Sequence, residues 1–589
     1  MNEKEKIMKK TITSYLLPFT LYLVTLTSYA QSFQWIKDGG SAENLGSNDY
    51  EQVYSIATDS QKNSYVLSKV GMSNLKVDGN PKFNYDNPSS TPTDIVLASF
   101  ACDGTYRWSK IIGGGGTENI SAVQVDSQDN VYVAGKMATC NNGSALQPYP
   151  GRIEDDYNFT NGTSACNLIF LAKFDTNGIF QYIKRPQLPT NGSDATTYTG
   201  TYNFQIQDDI LYWFVWLPPG IYADGAFTNS NSDINTPYVL KYNADGTFND
   251  AIQLGTIQGV FNLEVKYYRN PYNGYYYMTY VRTQTSATFS INGQPVVNAA
   301  ALVCYDANGN YLWKRENNNN NANYMKFFDL DFDPQNNIYI TGNMIGFNLN
   351  SFMGYSIAIA NTPAFIMKLD ATVDNLLWAS HHDSVGNSYG AIVYNDNEIA
   401  FTGWCGGTNF TWGTQSIYVT ATNEGQDTLL ARFNSSTGDC LSLHNIPSTV
   451  GSTDRGTALA VDASGDYLVG GGFAATIYDV NNNTVVNEGG TTDFFIAKFA
   501  TQACSPLSNE DFETNTIKVY PNPVVNQLTV TITENVKYAL YTITGQVIKQ
   551  GELTISNNTI DLQEVSKGYY VLKIVARNGN TQSIKVLKE

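Results

Sequence analysis

Apolar and polar residues alternate with a period of two over short runs, and clusters of Gly, Asn and Asp separate the runs. Period-two alternation around such turns predicts β-hairpins rather than helices. One phrase runs from Leu97 to Gly104 (LASFACDG) and is followed by Trp108. It returns at Leu171–Gly178 with Tyr182, at Leu240–Gly246, and at Val303–Gly309 with Trp313. Later copies are Ile366–Asp370 with Trp378, Leu430–Asn434, and a final half-copy at Ile496–Phe499. A second phrase alternates with the first: Val125–Gly135 (VDSQDNVYVAG), with relatives at Thr58–Val66, Phe332–Gly342, Tyr394–Gly403 and Val461–Gly470.

The pair recurs about every 65 to 75 residues, long enough for a four-stranded blade with one elaborated loop. The opening half of the first phrase is missing at the N-terminus, where Phe33-Gln34-Trp35-Ile36 matches the strand after the turn. The last copy, ending at Phe499, lacks that strand. The two ends therefore complement each other in one shared blade, and a closed ring leaves no free sheet edge. The expectation is an all-β chain: a seven-bladed β-propeller over residues 31–504, then a linker at 505–516 and a small Ig-like β-sandwich at 517–589. Six or eight blades, or an open solenoid, stand as alternatives. The third and fourth repeats depart most, with Gln207-Asp208-Asp209-Ile210 and Tyr272-Asn273-Gly274 in place of the usual turn. The layout resembles a bacterial β-propeller repeat family of the form KFDxxGxxxW … DxxGNxYxxG.

After Cys504 the pattern changes. Tyr520-Pro521-Asn522-Pro523 opens it, followed by Leu540-Tyr541-Thr542-Ile543-Thr544-Gly545-Gln546, then Gly568-Tyr569-Tyr570-Val571-Leu572-Lys573-Ile574 and the basic end Lys585–Glu589. Short alternating runs with turns at Thr544-Gly545 and Asn578-Gly579 predict six or seven strands in a sandwich. These four motifs, in this order, closely resemble the type A C-terminal sorting domain of the Bacteroidetes type IX secretion system. The resemblance implies that Tyr520, Pro521, Asn522, Pro523, Gly545, Gly568, Tyr570 and Lys585 belong to the sorting motifs. It also implies an outer-membrane translocon as partner, and release or surface attachment of the passenger.

Composition narrows the function. At 589 residues, with 13 % aromatic residues and 40 tyrosines but only 15 % charged residues, the chain suits many short strands. A formal charge of −18 argues against nucleic acid or an anionic membrane as partner. Lys9-Lys10, the apolar run Tyr15–Val24 and the exit Ser28-Tyr29-Ala30 describe a secretory signal peptide over 1–30, with Met8 as an alternative start. No later stretch is long and apolar enough to predict a membrane-spanning helix in the mature chain. The expected location is extracellular or on the outer-membrane surface. Seven cysteines leave at least one unpaired; Cys140 and Cys166 flank one polar insertion and form the candidate disulfide, while Cys304 reads as core.

No catalytic residue is nominated. The three histidines, His381, His382 and His444, sit in no metal-binding motif, and His381 and His382 point to opposite faces of a predicted strand. The Asp-rich turns invite calcium, but turn capping explains them without any cofactor. The binding candidates are aromatic: Trp404 and Trp412 in a Gly/Thr/Asn-rich insertion, and Trp213, Trp216 and Tyr222 around Pro218-Pro219. Such rings stack on sugars or on a partner's apolar patch when they are exposed on loops. Packing between blades is the plainer reading of the same residues. The favoured function is a non-enzymatic adhesion, glycan-binding or protein-binding passenger. An extracellular polysaccharide hydrolase or lyase and a structural envelope protein are the alternatives.

Overall fold

The computed structural model describes residues 31–45, 50–71, 73–83, 93–114, 118–138, 151–154, 156–158, 167–186, 200–231, 236–259, 263–282, 289–321, 325–345, 349–359, 362–383, 390–420, 425–479, 483–504, 518–532, 535–542, 546–575 and 581–589. The expected signal peptide, the linker, Cys140, Cys166 and Gly545 lie outside the described residues. The chain divides into two units, Met1–Cys504 and Ser505–Glu589. The described structure is nearly all β, and no helix among the described residues is long and apolar enough to cross a membrane.

Among the described residues, seven antiparallel sheets of the first unit share a four-stranded meander. We number them by their first strands: sheet 1, Val53–Thr58; sheet 2, Asn119–Val125; sheet 3, Gly200–Gln207; sheet 4, Leu263–Arg269; sheet 5, Met325–Phe332; sheet 6, Ala391–Asn395; sheet 7, Arg455–Val461. The fourth strand of sheet 7 is the first described strand of the chain. Ser32–Gly40 pairs with Asp493–Ala500 from Ser32↔Ala500 to Gly39↔Phe494, so the two ends of the unit close one sheet together.

Each first strand reaches the next through its side chains. Ser55 Oγ accepts the Val123 N–H at 3.1 Å, and Ser121 and Thr201 share a hydroxyl–hydroxyl bond. Asn203 Nδ2 donates to Tyr267 O at 2.6 Å, and the Lys266 ammonium donates to Phe328 O. Asp329 and Asp331 accept the N–H groups of Ile392 and Tyr394, at 3.0 and 2.7 Å. Asn395 Nδ2 donates to Gly465 O at 3.1 Å, and Thr58 Oγ1 donates back to Val461 O at 3.2 Å. The order runs 1, 2, 3, 4, 5, 6, 7 and returns to 1. Polar groups on the innermost strand edges are thereby satisfied by side chains, which a closed propeller requires where no fifth strand can pair.

The repeated phrases have mechanical roles. Asp126 accepts the N–H groups of Gln128 and Asn130, the Asn130 amide and the Tyr132 hydroxyl, and Lys173 lies 3.7 Å away. Asp333 repeats this with Asn337, Tyr339 and Lys368, and Asp462 with Ser464, Asp466 and Lys498. The first phrase's tryptophan then ties sheet to sheet. Trp35, Trp108 and Trp378 each donate their indole N–H to a turn carbonyl of the following sheet, at Cys102, Thr176 and Ser435. Gly178 in that turn has φ 77°, and a Cβ there would fall 2.6 Å from the Trp108 ring. Glycine is needed for both reasons.

The two departing repeats keep the meander. Gln207 pairs with Ile210 across Asp208 and Asp209, which take φ 51° and 56°, the geometry of a two-residue hairpin turn. In sheet 4 the longer turn is held by the Asn270 N–H bonded to Tyr275 O. Second and third strands are buried on both faces, as in Ser64–Val70, Asp94–Phe100 and Tyr467–Phe473, because each lies between neighbouring sheets.

The second unit has a three-stranded sheet (Val519–Tyr520, Gln527–Val530, Thr559–Asp561) and a four-stranded one (Val547–Leu553, Val536–Thr542, Gly568–Val575, Thr581–Lys588). Leu528, Leu540, Leu572, Ile574 and Val586 fill its core. Asn522 pins the last strand: its amide donates to Lys585 O at 2.8 Å, and its carbonyl accepts the Leu587 N–H at 2.9 Å. The Tyr570 hydroxyl donates to Ser566 O at 2.8 Å, tying the start of its strand to the turn before it.

Candidate functional site

Meander topology puts the first-to-second and third-to-fourth connections at one rim, and the second-to-third and fourth-to-first connections at the other. The first rim has only tight turns, such as Asp126–Asn130 and Asp175–Ile179. The second carries the insertions, several of which fold back as extra hairpins: Gly220–Tyr222 with Phe227–Asn229, Asn409–Trp412 with Gln415–Tyr418, and Thr476–Tyr478 with Thr484–Val486. Elaboration of one rim on a regular scaffold is where binding concentrates.

The sequence-predicted aromatics do not line that rim as exposed rings. Trp412 and Trp213 are fully buried, as is Tyr222, and Trp404 and Trp216 are 7 % and 5 % exposed. This corrects their reading as stacking platforms. The insertion around Trp412 folds as a hairpin that turns the indole inward against Phe433 at 4.8 Å, Phe401 and His382. Trp213 and Trp216 lie in a second strand buried on both faces, where alternation exposes neither; Trp216 Nε1 donates to the Tyr267 hydroxyl at 2.8 Å. Tyr222 donates to Pro218 O and holds the insertion. His382 is a core residue, its Nε2 accepting the Ala364 N–H at 2.9 Å.

The first strands instead enclose a central cavity of about 490 Å³. Ser55, Ser121, Gln124, Thr201, Asn203 and Gln205 supply hydroxyls and amides, with Tyr54 and Tyr202 beside them. Across from these, sheet 5 presents Asp329 and Asp331, with Lys266 the only basic residue among the described residues of the wall. Burial pushes the Asp331 carboxyl up to about 7, and the neighbouring Asp329 adds to the shift. Burial also raises Asp329, against the pull of the Lys266 ammonium. Polar residues at alternate positions, such as Asn203/Gln205 and Asp329/Asp331, carried a signal for this wall that is hard to tell from ordinary strand alternation.

Buried carboxyls anchor the elaborated rim. Glu51 accepts the Ser41 and Gly71 N–H groups at 2.7 and 2.6 Å and hydrogen-bonds with Asp493, which accepts the Glu488 N–H at 2.6 Å. Burial raises both carboxyls well above the ordinary range. Asp427 and Asp454 hold corresponding places one sheet earlier: Asp427 accepts from Thr420, Asn445 and Ser448, and Asp454 from Ser452 and Ala474. Asp94 and Glu118, likewise fully buried, occupy them one sheet later.

The structure adds a disulfide that the sequence reading did not name, while the Cys140–Cys166 candidate lies outside the described residues. Cys102, in the first turn phrase, is bonded to Cys504 at the end of the unit, with Cα atoms 5.7 Å apart and a sequence separation of 402. The Lys498 ammonium, paired with Asp462 at 2.6 Å, sits 3.0 and 3.2 Å from the two sulfurs. Cys304, Cys405 and Cys440 are buried free thiols.

Residues 518–589 match the family described as the secretion system C-terminal sorting domain. The C-terminal unit is a type IX secretion sorting domain. It directs the protein out of the cell, to the surface or the medium, and implies an interaction with the type IX secretion system. The search of curated proteins finds no match. Among solved structures, chains of the Dos1 propeller (10 % identity, TM-score 0.34), a PL25 ulvan lyase (11 %, 0.37) and the C-terminal WD40 domain of Sif2 (7 %, 0.31) each align with 79 % of this chain. The alignments cover 96 %, 97 % and 98 % of those chains. These likenesses concern fold alone; the β-propeller assignment rests on the strand pairing and on the cyclic side-chain bonds.

Proposed function

We propose that this protein is an exported, non-enzymatic binding propeller of seven blades, made with a signal peptide and delivered by its sorting domain, that captures a glycan in its central cavity. The observation that carries the reading is the cavity wall. Hydroxyl and amide side chains from sheets 1 to 3 converge with the Tyr54 and Tyr202 rings on one enclosed space. Ligand sites favour this combination of enclosure and a few convergent polar groups. Hydroxyls and amides match the donor and acceptor pattern of sugar hydroxyls.

Binding without turnover is favoured because Asp329 and Asp331 are each held in one orientation by a backbone N–H of the adjoining sheet, which fixes them as acceptors for a bound group. The test is incubation of the purified protein with a panel of polysaccharides and glycoproteins, scoring retention and polymer length together. Retention at unchanged length is the expected result. Shortened polymer overturns the non-enzymatic reading in favour of a hydrolase or lyase, and no retention across the panel overturns the glycan.

A further inference from the structure

The cavity wall is chemically two-sided, and this specifies the ligand further; the inference rests on the cavity being the ligand site. Sheets 1 to 3 offer neutral hydrogen-bonding groups, whereas sheet 5 offers two carboxyls two residues apart on one strand face. The single ammonium, on Lys266, is engaged with Phe328 O. Beside Asp329 the Tyr268 side chain, 7 % exposed, lines the same wall with its hydroxyl against the Asp329 carboxyl.

We propose that the cavity takes an amine-bearing sugar, its hydroxyls toward sheets 1 to 3 and its ammonium toward Asp329 and Asp331. Two partly desolvated carboxyls close together repel each other and any uronate or sulfate. A cation between them relieves that repulsion. Burial and the neighbouring Asp329 carboxyl both raise Asp331, and a ligand ammonium beside it would act in the opposite direction. A peptide amine would meet the carboxyls equally well, but offers sheets 1 to 3 one backbone amide per residue where a sugar ring offers several hydroxyls.

The experiment is calorimetric titration of the full protein at pH 7 with a glucosamine trimer, its N-acetylated counterpart, a trigalacturonate and a trilysine peptide. The glucosamine trimer is expected to bind about tenfold tighter than the acetylated one, the scale of a hydrogen bond to a charged group, with trigalacturonate and trilysine unbound. Asp331→Asn, which keeps an oxygen for the Tyr394 N–H, is expected to erase the tenfold preference without weakening the acetylated trimer. Asp439→Asn, at an exposed turn, is expected to leave the preference intact, separating the site from general attraction to an acidic protein. Equal binding of both trimers refutes the amine while sparing the glycan site; no binding by any sugar refutes both. Trilysine binding as tight as glucosamine refutes the sugar.

Discussion

Replacing Cys504 by Ser opens the Cys102–Cys504 bridge and leaves every strand pairing of the ring in place. The bridge closes a loop of 402 residues, and it joins the end of sheet 7's third strand to a turn of sheet 1. In the chain-entropy account a loop of that length removes about 20 cal/mol/K from the unfolded ensemble, or about 6 kcal/mol at 25 °C. A propeller of this size unfolds with an entropy on the order of 1 kcal/mol/K, so the loss corresponds to a melting temperature about 6 °C lower. Two secondary effects act on the folded side: Cys102 loses its covalent partner while its carbonyl still accepts from Trp35, and the Lys498–Asp462 pair remains. The assay is thermal unfolding of Cys504→Ser and of wild type, each with and without reductant. Wild type should fall to the level of the variant on reduction, and the variant should not respond. A variant melting within a degree of oxidised wild type would refute the reasoning, because the ring would then be closed as firmly by pairing alone.

Other consequences follow from particular contacts. The Glu51–Asp493 pair binds more protons folded than unfolded, because burial raises both carboxyls; stability from this pair is complete below about pH 4 and is lost as pH rises through the raised values. Asp493→Asn, which supplies the bridging proton permanently, should flatten the alkaline decline of the melting temperature, and an unchanged slope counts against the pair. A Cβ on Gly113 would lie 1.6 Å from Asp94 Oδ1, so Gly113→Ala should cost about 2–4 kcal/mol in chemical denaturation. Gly79→Ala, with open space but φ 73°, should cost only about 1 kcal/mol. Trp412→Ala should destabilise the propeller by about 3–5 kcal/mol, as a core deletion rather than a binding defect. Asn522→Ala removes both bonds to the last strand of the sorting domain; it should lower that unit's stability by about 1–3 kcal/mol and leave more protein inside the cell, read by fractionation.

The sequence phrases were legible because each conserves a local job within this one chain. Asp126 caps its own turn, Trp108 reaches the next turn, and Gly178 makes room for that indole, so most copies repeat similar residues at similar offsets. The YPNP and basic-terminus motifs were legible for a related reason, since Asn522 binds the strand that bears Lys585. What could not be read depends on the ring itself. Cys102 and Cys504 meet only when the two ends of the unit share sheet 7, and no local pattern around either cysteine marks the other as its partner. Trp412 sits in a segment whose composition resembles an exposed loop, yet the segment folds as a hairpin over the sheet core. The cavity is assembled from two to four residues of every first strand, so no window of sequence contains it.

The central claim is that the cavity at the propeller axis is the ligand site. Gln124, half-buried in its wall, can be changed to Trp to fill the space. Equilibrium binding of a glycan retained by wild type, measured on Gln124→Trp with an unchanged melting temperature, tests that claim most directly. The account predicts at least a tenfold loss of affinity, the scale of one lost charged or bidentate contact. Undiminished binding by a correctly folded Gln124→Trp protein would contradict it and move the site to the elaborated rim.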